Sequence, residues 1–166
     1  MTVAMQPAAT SPARTASLRF ASPWRMPLAI AAEDRAVLHR IDHALIALRR
    51  AGRRAVRIVD PRCGSGTWLF RAARHAAWLG FVAIEARGVD ADPARIAQAR
   101  NLAAGVCDPR VGFDFEVDAV GCVLADGDEE GADIMLCHGG SAVADASALS
   151  GIAQIVVRME GGDDLA

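Results

Sequence analysis

The spacing of apolar residues predicts a chain of alternating helices and strands. Residues 28–50 carry apolar side chains three and four positions apart, which predicts an amphipathic helix. The short apolar run at 55–60 is typical of a buried parallel strand, and a helical pattern returns at 67–79. Strands separated by helices indicate right-handed βαβ units and therefore a parallel sheet.

The following segments continue this alternation. Residues 86–90 predict a second strand, and Asp92 is a suitable cap for the helix after it. Residues 111–117 alternate apolar and polar positions, as in a strand with one solvent-exposed face, and 132–137 predict a fourth strand. A weak helix is predicted at 145–158. We therefore expect an α/β fold, a doubly wound and mainly parallel sheet with helices on both faces.

Composition divides the chain into a tail and a domain. Residues 1–27 are rich in Ala, Ser, Thr, Pro and Arg, and such a segment buries too little apolar surface to offset the entropy lost on ordering. We predict that they are disordered and that 28–166 form one domain, since the chain is 52% hydrophobic and 166 residues long. No apolar run is long enough to span a bilayer, so we expect a cytoplasmic protein.

The cysteines and histidines do not predict a metal site. The four cysteines occur singly, without the close pairs that structural zinc sites use, and are predicted to be reduced. His39 and His43 lie four residues apart on the first predicted helix, but no third ligand accompanies them.

Acidic residues and glycines come together where the first two strands end. Asp60 closes the first strand, and Gly64 and Gly66 lie in the turn that leads into the next helix. Asp90 ends the second strand, where a carboxylate can accept hydrogen bonds from both hydroxyls of a ribose. Asp118 follows the third strand and is a candidate for contact with an adenine. This pattern predicts a nucleotide-like ligand at the carboxyl edge of the sheet.

The segment from Asp60 to Thr67, DPRCGSGT, resembles the first motif of class I S-adenosylmethionine-dependent methyltransferases. The segments GVDADP at 88–93 and ADIMLC at 132–137 are similar to the second block and the fourth strand of that family. Residues 155–162 resemble the helix-to-glycine turn before its fifth strand. The resemblance covers roughly 54–162.

The resemblance implies a Rossmann-like fold, S-adenosylmethionine as cofactor and methyl transfer as the reaction. The implied cofactor-binding residues are Asp60, Cys63, Gly64 and Gly66 near the methionine and ribose, Asp90 at the ribose hydroxyls, and Asp118 near the adenine. His138 follows the fourth strand in the region of the family's catalytic residues. It is the candidate general base, because an imidazole titrates near neutral pH.

Two departures from the family pattern change what the resemblance implies. Residues 137–140, CHGG, replace the Asn or Asp, two prolines and aromatic residue of nucleic-acid amino-methyltransferases, which favours a small-molecule acceptor over nucleic acid. The chain is also predicted to stop before the fifth strand. The fourth strand would then be an edge that a second copy or a partner covers.

Two alternatives stay open at this point. A chain lacking the last strands could be a truncated, non-catalytic relative that binds cofactor or a partner protein. A nicotinamide-dinucleotide oxidoreductase is the other alternative, but its fingerprint needs a third glycine. Leu69 occupies that position here.

Overall fold

A computed structural model describes residues 32–118, 131–138 and 153–159. Within them the chain alternates between helix and strand, as the apolar pattern predicts. The bounds are α1 Ala32–Arg50, β1 Ala55–Asp60, α2 Thr67–Trp78, β2 Ala83–Asp90, α3 Pro93–Ala103, β3 Val111–Val117, β4 Ala132–His138 and β5 Ala153–Met159.

The five strands form one parallel sheet in the order β3-β2-β1-β4-β5. β1 lies at its centre and pairs with β2 from Ala55↔Ala83 to Asp60↔Gly88. On its other side β1 pairs with β4 through Ile58↔Ile134. Because all strands run in one direction, the residues that follow β1, β2 and β4 meet at the same edge of the sheet.

The three described helices share one apolar core with one face of the sheet. α1 contributes the predicted stripe, in which Ile41 and Leu45 are fully buried. Ile58 of β1 and Ile134 of β4 belong to the same cluster, whereas Val59, one residue along β1, belongs to a second cluster. This alternation follows from the two-residue period of a strand. Each fully buried aliphatic side chain contributes about 1.5–3 kcal/mol to the stability of the fold.

Polar contacts hold α1 against α2 at the rim of this core. The guanidinium of Arg71 lies 3.1 Å from the carboxylate of Asp34. Nδ1 of His75 is hydrogen-bonded to Oδ1 of Asp42. These contacts fix the orientation of α2, whose first turn follows the glycine turn.

Two predictions about the end of the chain are wrong. Residues 153–158 are not helical but lie in β5, because Ile155, Val156 and Val157 are consecutive β-branched residues that favour a strand. The chain also does not stop before the fifth strand, so β4 is not an edge strand: β5 pairs with it in parallel along its length. Within the described residues the sheet ends at β5 instead.

Smaller differences concern the bounds of elements. β2 begins at Ala83, three residues before the predicted start, and β4 extends through His138, which was predicted to follow the strand.

Several predictions fall outside the described residues. They are the disordered tail at 1–27, the first residues of the domain at 28–31, the helix over 145–152 and the helices expected on the second face of the sheet. In the described part of the chain, no helix is long and apolar enough to cross a membrane.

Candidate functional site

A tight glycine turn connects β1 to α2 at the carboxyl edge of the sheet. Gly64 and Gly66 both adopt positive φ angles, of 55° and 83°. A Cβ on Gly66 would lie 2.8 Å from the ring of Phe70, whereas a Cβ on Gly64 would meet none of the other described residues within 4 Å, its two chain neighbours aside. Gly66 is therefore required by packing and backbone angle, and Gly64 leaves open space beside the turn.

Asp90 joins this turn to the loop after β2. Its Oδ2 accepts a hydrogen bond from the backbone N–H of Gly64 at 2.9 Å, and its Oδ1 accepts one from the N–H of Asp92 at 2.9 Å. The N–H of Cys63 also donates to the carbonyl of Val89 at 2.9 Å. A carboxylate has about four acceptor positions, so Asp90 can still accept hydrogen bonds from a ligand.

A second carboxylate, that of Asp60, lies behind the turn and is fully buried. Its Oδ1 accepts a hydrogen bond from the N–H of Arg62 at 3.2 Å and lies 3.1 Å from Nε2 of His138. Its Oδ2 has no hydrogen-bond partner among the described residues. The His138 side chain is 23% exposed, so the imidazole lies between the buried carboxylate and solvent.

A cavity of about 640 Å³ opens beside the glycine turn. Its volume lies within the roughly 300–1,000 Å³ usual for small-molecule sites. Among the predicted site residues, Cys63, Gly64, Asp90 and His138 line it. The remaining lining residues come from the glycine turn, the start of α2, the loop after β2 and the N-terminal half of α3: Arg62, Ser65, Thr67, Trp68, Ala91, Arg95 and Gln98.

Three of the predicted cofactor-binding residues do not line this cavity. Asp60 is buried behind it, and Gly66 packs against Phe70 at the start of α2. Asp118 lies at the end of β3, and its N–H donates to the carbonyl of Asp90 at 3.3 Å. The predicted contact of each with a cofactor stays a prediction.

The helices contribute lining residues that the sequence pattern does not predict. Trp68 lies in the first turn of α2, and the Arg71 guanidinium lies 4.7 Å from the centre of its ring. Arg95 and Gln98 lie three residues apart near the start of α3. A signal for them existed, since the first turn of each helix after a parallel strand lies at the carboxyl edge of the sheet.

The thiols near this cavity are held protonated. Burial, together with the nearby carboxylates of Asp60 and Asp90, raises the pKa of the Cys63 thiol to about 12. Burial and Asp60 also raise the pKa of the Cys137 thiol, and Arg158 partly opposes this effect. Neither thiol is therefore a nucleophile at neutral pH.

Among the residues that the structure describes, no group of three or more His, Cys, Asp or Glu side chains could hold a metal ion.

No protein-family profile and no curated protein sequence matches this chain. Solved structures do resemble it. WbdD, solved with the kinase inhibitor LY294002, matches 72% of this chain over 28% of its own, with a TM-score of 0.55 and 23% identity. A Listeria monocytogenes protein assigned to the class I S-adenosylmethionine-dependent methyltransferases matches 61% of this chain over 29% of its own, with a TM-score of 0.49 and 22% identity.

Magnesium protoporphyrin IX methyltransferase from Synechocystis, solved with bound S-adenosylmethionine, matches 76% of this chain over 62% of its own, with a TM-score of 0.44 and 17% identity. This chain therefore spans less than a third of the length of the first two proteins and under two thirds of the third. At these identities the likeness concerns the fold. The five-stranded parallel sheet in the order 3-2-1-4-5, with helices packed on it, has the arrangement of the Rossmann-like methyltransferase fold.

Proposed function

We propose that this protein binds S-adenosylmethionine in the cavity beside the glycine turn and transfers its methyl group to a small-molecule acceptor. The observation that carries the proposal is the hydrogen bond from the N–H of Gly64 to the carboxylate of Asp90, at the wall of a cavity large enough for a nucleoside. This bond brings a strand-end acid next to a glycine of the turn, an arrangement that suits a nucleoside cofactor.

The residues at this cavity fit the chemical groups of the cofactor. Gly64 leaves room for a ligand to approach the backbone closely, since no described residue beyond its chain neighbours lies within 4 Å of the position of its Cβ. Asp90 has acceptor positions for the ribose hydroxyls, and its negative charge suits a cationic sulfonium. Asp118, whose backbone contacts Asp90, is the residue proposed nearest the adenine.

When bound, S-adenosylmethionine supplies an activated methyl group, so the protein mainly has to orient the acceptor. We assign to His138 the removal of a proton from an acceptor O–H or N–H group. Its imidazole lines the cavity, and the neighbouring thiols of Cys63 and Cys137 remain protonated at neutral pH. Among the described residues that line the cavity, His138 is therefore the one that we assign as the base.

Calorimetric titration with S-adenosylhomocysteine tests the proposed cofactor, with NAD as the comparison ligand. This comparison is needed because dinucleotide-binding folds share the 3-2-1-4-5 order of strands. We expect micromolar affinity for S-adenosylhomocysteine and none for NAD. Binding of NAD alone would support an oxidoreductase, and binding of neither by folded protein would support a non-catalytic relative.

Variants locate the binding site in the same assay. Asp90→Asn removes the charge and one acceptor, and hydrogen bonds to charged groups are worth about 1.5–3 kcal/mol, so we expect about 10- to 100-fold weaker binding. Asp42→Asn is the matched control, because Asp42 bonds to His75 at the α1–α2 contact and does not line the cavity. Equal affinities of the two variants would contradict the assignment of Asp90.

A further inference from the structure

We infer that Asp60 is a positioning residue, which holds the imidazole of His138 in the form that can accept a proton from the acceptor. This inference rests on the proposed function and changes the role expected for Asp60 from cofactor contact to orientation of the base. It is carried by the contact of 3.1 Å between Oδ1 of Asp60 and Nε2 of His138.

The side chains of Asp60 and His138 differ in their exposure to solvent. The Asp60 side chain is 0% exposed, and that of His138 is 23% exposed. Asp60 is not among the residues that line the cavity, whereas His138 is. A ligand in the cavity can therefore touch the imidazole, and the carboxylate acts on that ligand through the imidazole.

The contact between Asp60 and Nε2 selects one tautomer of His138. Oδ1 of an ionised carboxylate only accepts hydrogen bonds, so Nε2 of a neutral His138 must carry the proton. Nδ1 is then the nitrogen with the lone pair. When the acceptor loses a proton, that proton goes to Nδ1, and the imidazolium that forms is stabilised by the charge of Asp60.

The second carboxylate oxygen of Asp60, Oδ2, also bears on the role of this residue. Oδ2 is buried and has no hydrogen-bond partner among the described residues, which is an unfavourable arrangement for a carboxylate. The backbone N–H of Arg62 fixes Oδ1 from the other side at 3.2 Å. A positive charge on His138 would lie beside this buried carboxylate, since Nε2 is 3.1 Å from Oδ1, so Asp60 can stabilise the imidazolium once the base has accepted a proton.

The two thiols near Asp60 do not compete for this proton. Burial, with a smaller contribution from Asp60, raises the pKa of Cys63 and of Cys137, so both thiols hold a proton at neutral pH. Of these neighbours of Asp60, the imidazole of His138 is the one that we assign as the base.

Nitrogen-15 NMR of the imidazole side chains tests the inference without a known acceptor. In the full chain we expect His138 to be protonated at Nε2 in its neutral form, with a slowly exchanging, downfield-shifted proton. His75 is an internal control, because it contacts Asp42 through the other ring nitrogen, Nδ1. The signal of His138 is assigned by its loss in His138→Gln.

Asp60→Asn keeps an oxygen acceptor and the size of the side chain but removes the charge. We expect the Nε2 proton of His138 to move upfield and exchange faster, while the signals of His75 stay unchanged. Asp42→Asn should instead change the signals of His75 and leave those of His138 unchanged. We also expect diethyl pyrocarbonate to modify His138 severalfold more slowly in Asp60→Asn at a pH where the imidazole is neutral in both proteins, because Nδ1 becomes less nucleophilic when the charge of the carboxylate is removed.

Three results would overturn the inference. They are an Nδ1-protonated His138 in the unmodified protein, a His138 signal that Asp60→Asn leaves unchanged, and a tenfold loss of S-adenosylhomocysteine affinity in Asp60→Asn, which would make Asp60 a cofactor contact. If Asp60→Asn fails to fold, the tautomer of His138 in the unmodified protein still tests the inference. Failure of the proposed function would appear separately, as absence of S-adenosylhomocysteine binding by a protein with the expected His138 tautomer.

Discussion

Substitution of the two turn glycines by alanine separates packing from ligand binding. In Gly66→Ala the new Cβ lies 2.8 Å from Cε2 of Phe70 and 3.1 Å from Cε1 of Phe115. The Phe70 ring cannot easily move, because its centre lies 4.6 Å from that of Phe113 and 5.7 Å from that of Phe115. The clash therefore has to be relieved by moving packed aromatic rings.

The expected destabilisation follows from two terms. An alanine at a left-handed φ costs about 1–2 kcal/mol, and Gly66 has a φ of 83°. Overpacking of a filled core costs about another 1–3 kcal/mol. We expect Gly66→Ala to lower the free energy of unfolding by roughly 2–5 kcal/mol, measured by urea denaturation with the slope of the transition unchanged.

Gly64→Ala is the matched control for this measurement. Its φ of 55° gives the same backbone cost, but among the described residues its Cβ would meet nothing within 4 Å beyond its chain neighbours, so no packing cost is expected. We expect a loss of only about 1–2 kcal/mol, together with weaker S-adenosylhomocysteine binding because the methyl group occupies the side of the cavity. Equal destabilisation by the two variants would refute the packing term.

Three further predictions concern α3, the thiols and the buried end of β4. Asp92→Ala should destabilise the protein by about 1 kcal/mol in urea, because Oδ1 of Asp92 caps α3 by accepting from the N–H of Ala94 at 2.8 Å. Iodoacetamide at pH 8 should alkylate the exposed Cys107 well before Cys63, as mapped by mass spectrometry. Asp133→Ala should lower the free energy of unfolding by about 1–3 kcal/mol, since the N–H of Arg57 would lose its 2.9 Å bond inside the fold. Each prediction has a contrary result. Unchanged stability of Asp92→Ala or of Asp133→Ala would contradict the corresponding hydrogen bond. Alkylation of the two cysteines at comparable rates would contradict the burial of Cys63.

The Cys63 thiol also predicts how stability depends on pH. Its pKa is raised in the folded state from 9.0 to about 12, so the folded protein binds this proton more tightly than the unfolded chain. The resulting contribution is present below pH 9 and is lost as the pH rises towards 12. Cys63→Ala should therefore show a weaker decline of unfolding free energy between pH 9 and 11 than the parent protein. A decline of the same slope would contradict the raised pKa.

The centre of the fold could be predicted because local and tertiary preferences agree there. The apolar run of β1, the glycine turn and the cap of α3 at Asp92 each follow from residues that favour one conformation. The end of the chain could not be predicted in the same way. Ile155–Val157 is an apolar run too short for periodicity to distinguish helix from strand, and its pairing with β4 decides the outcome.

The candidate site could be predicted only as far as it follows from strand ends. Asp90 and His138 line the cavity because β2 and β4 end at the same edge of the sheet. The hydrogen bonds of Asp90 to the turn and the burial of Asp60 depend on how β1, β2 and β4 align in the sheet. Sequence spacing does not contain this alignment, so the contact between Asp60 and His138 became visible only in the folded chain.

A crystal structure of the protein with S-adenosylhomocysteine is the most direct test of the proposed binding site. We predict the ligand in the cavity beside Gly64, with a ribose hydroxyl within hydrogen-bond distance of the Asp90 carboxylate and the sulfur on the His138 side of the cavity. A ligand bound away from Gly64 and Asp90, for example in the groove that His39 and His43 of α1 line against β5, would contradict the proposal.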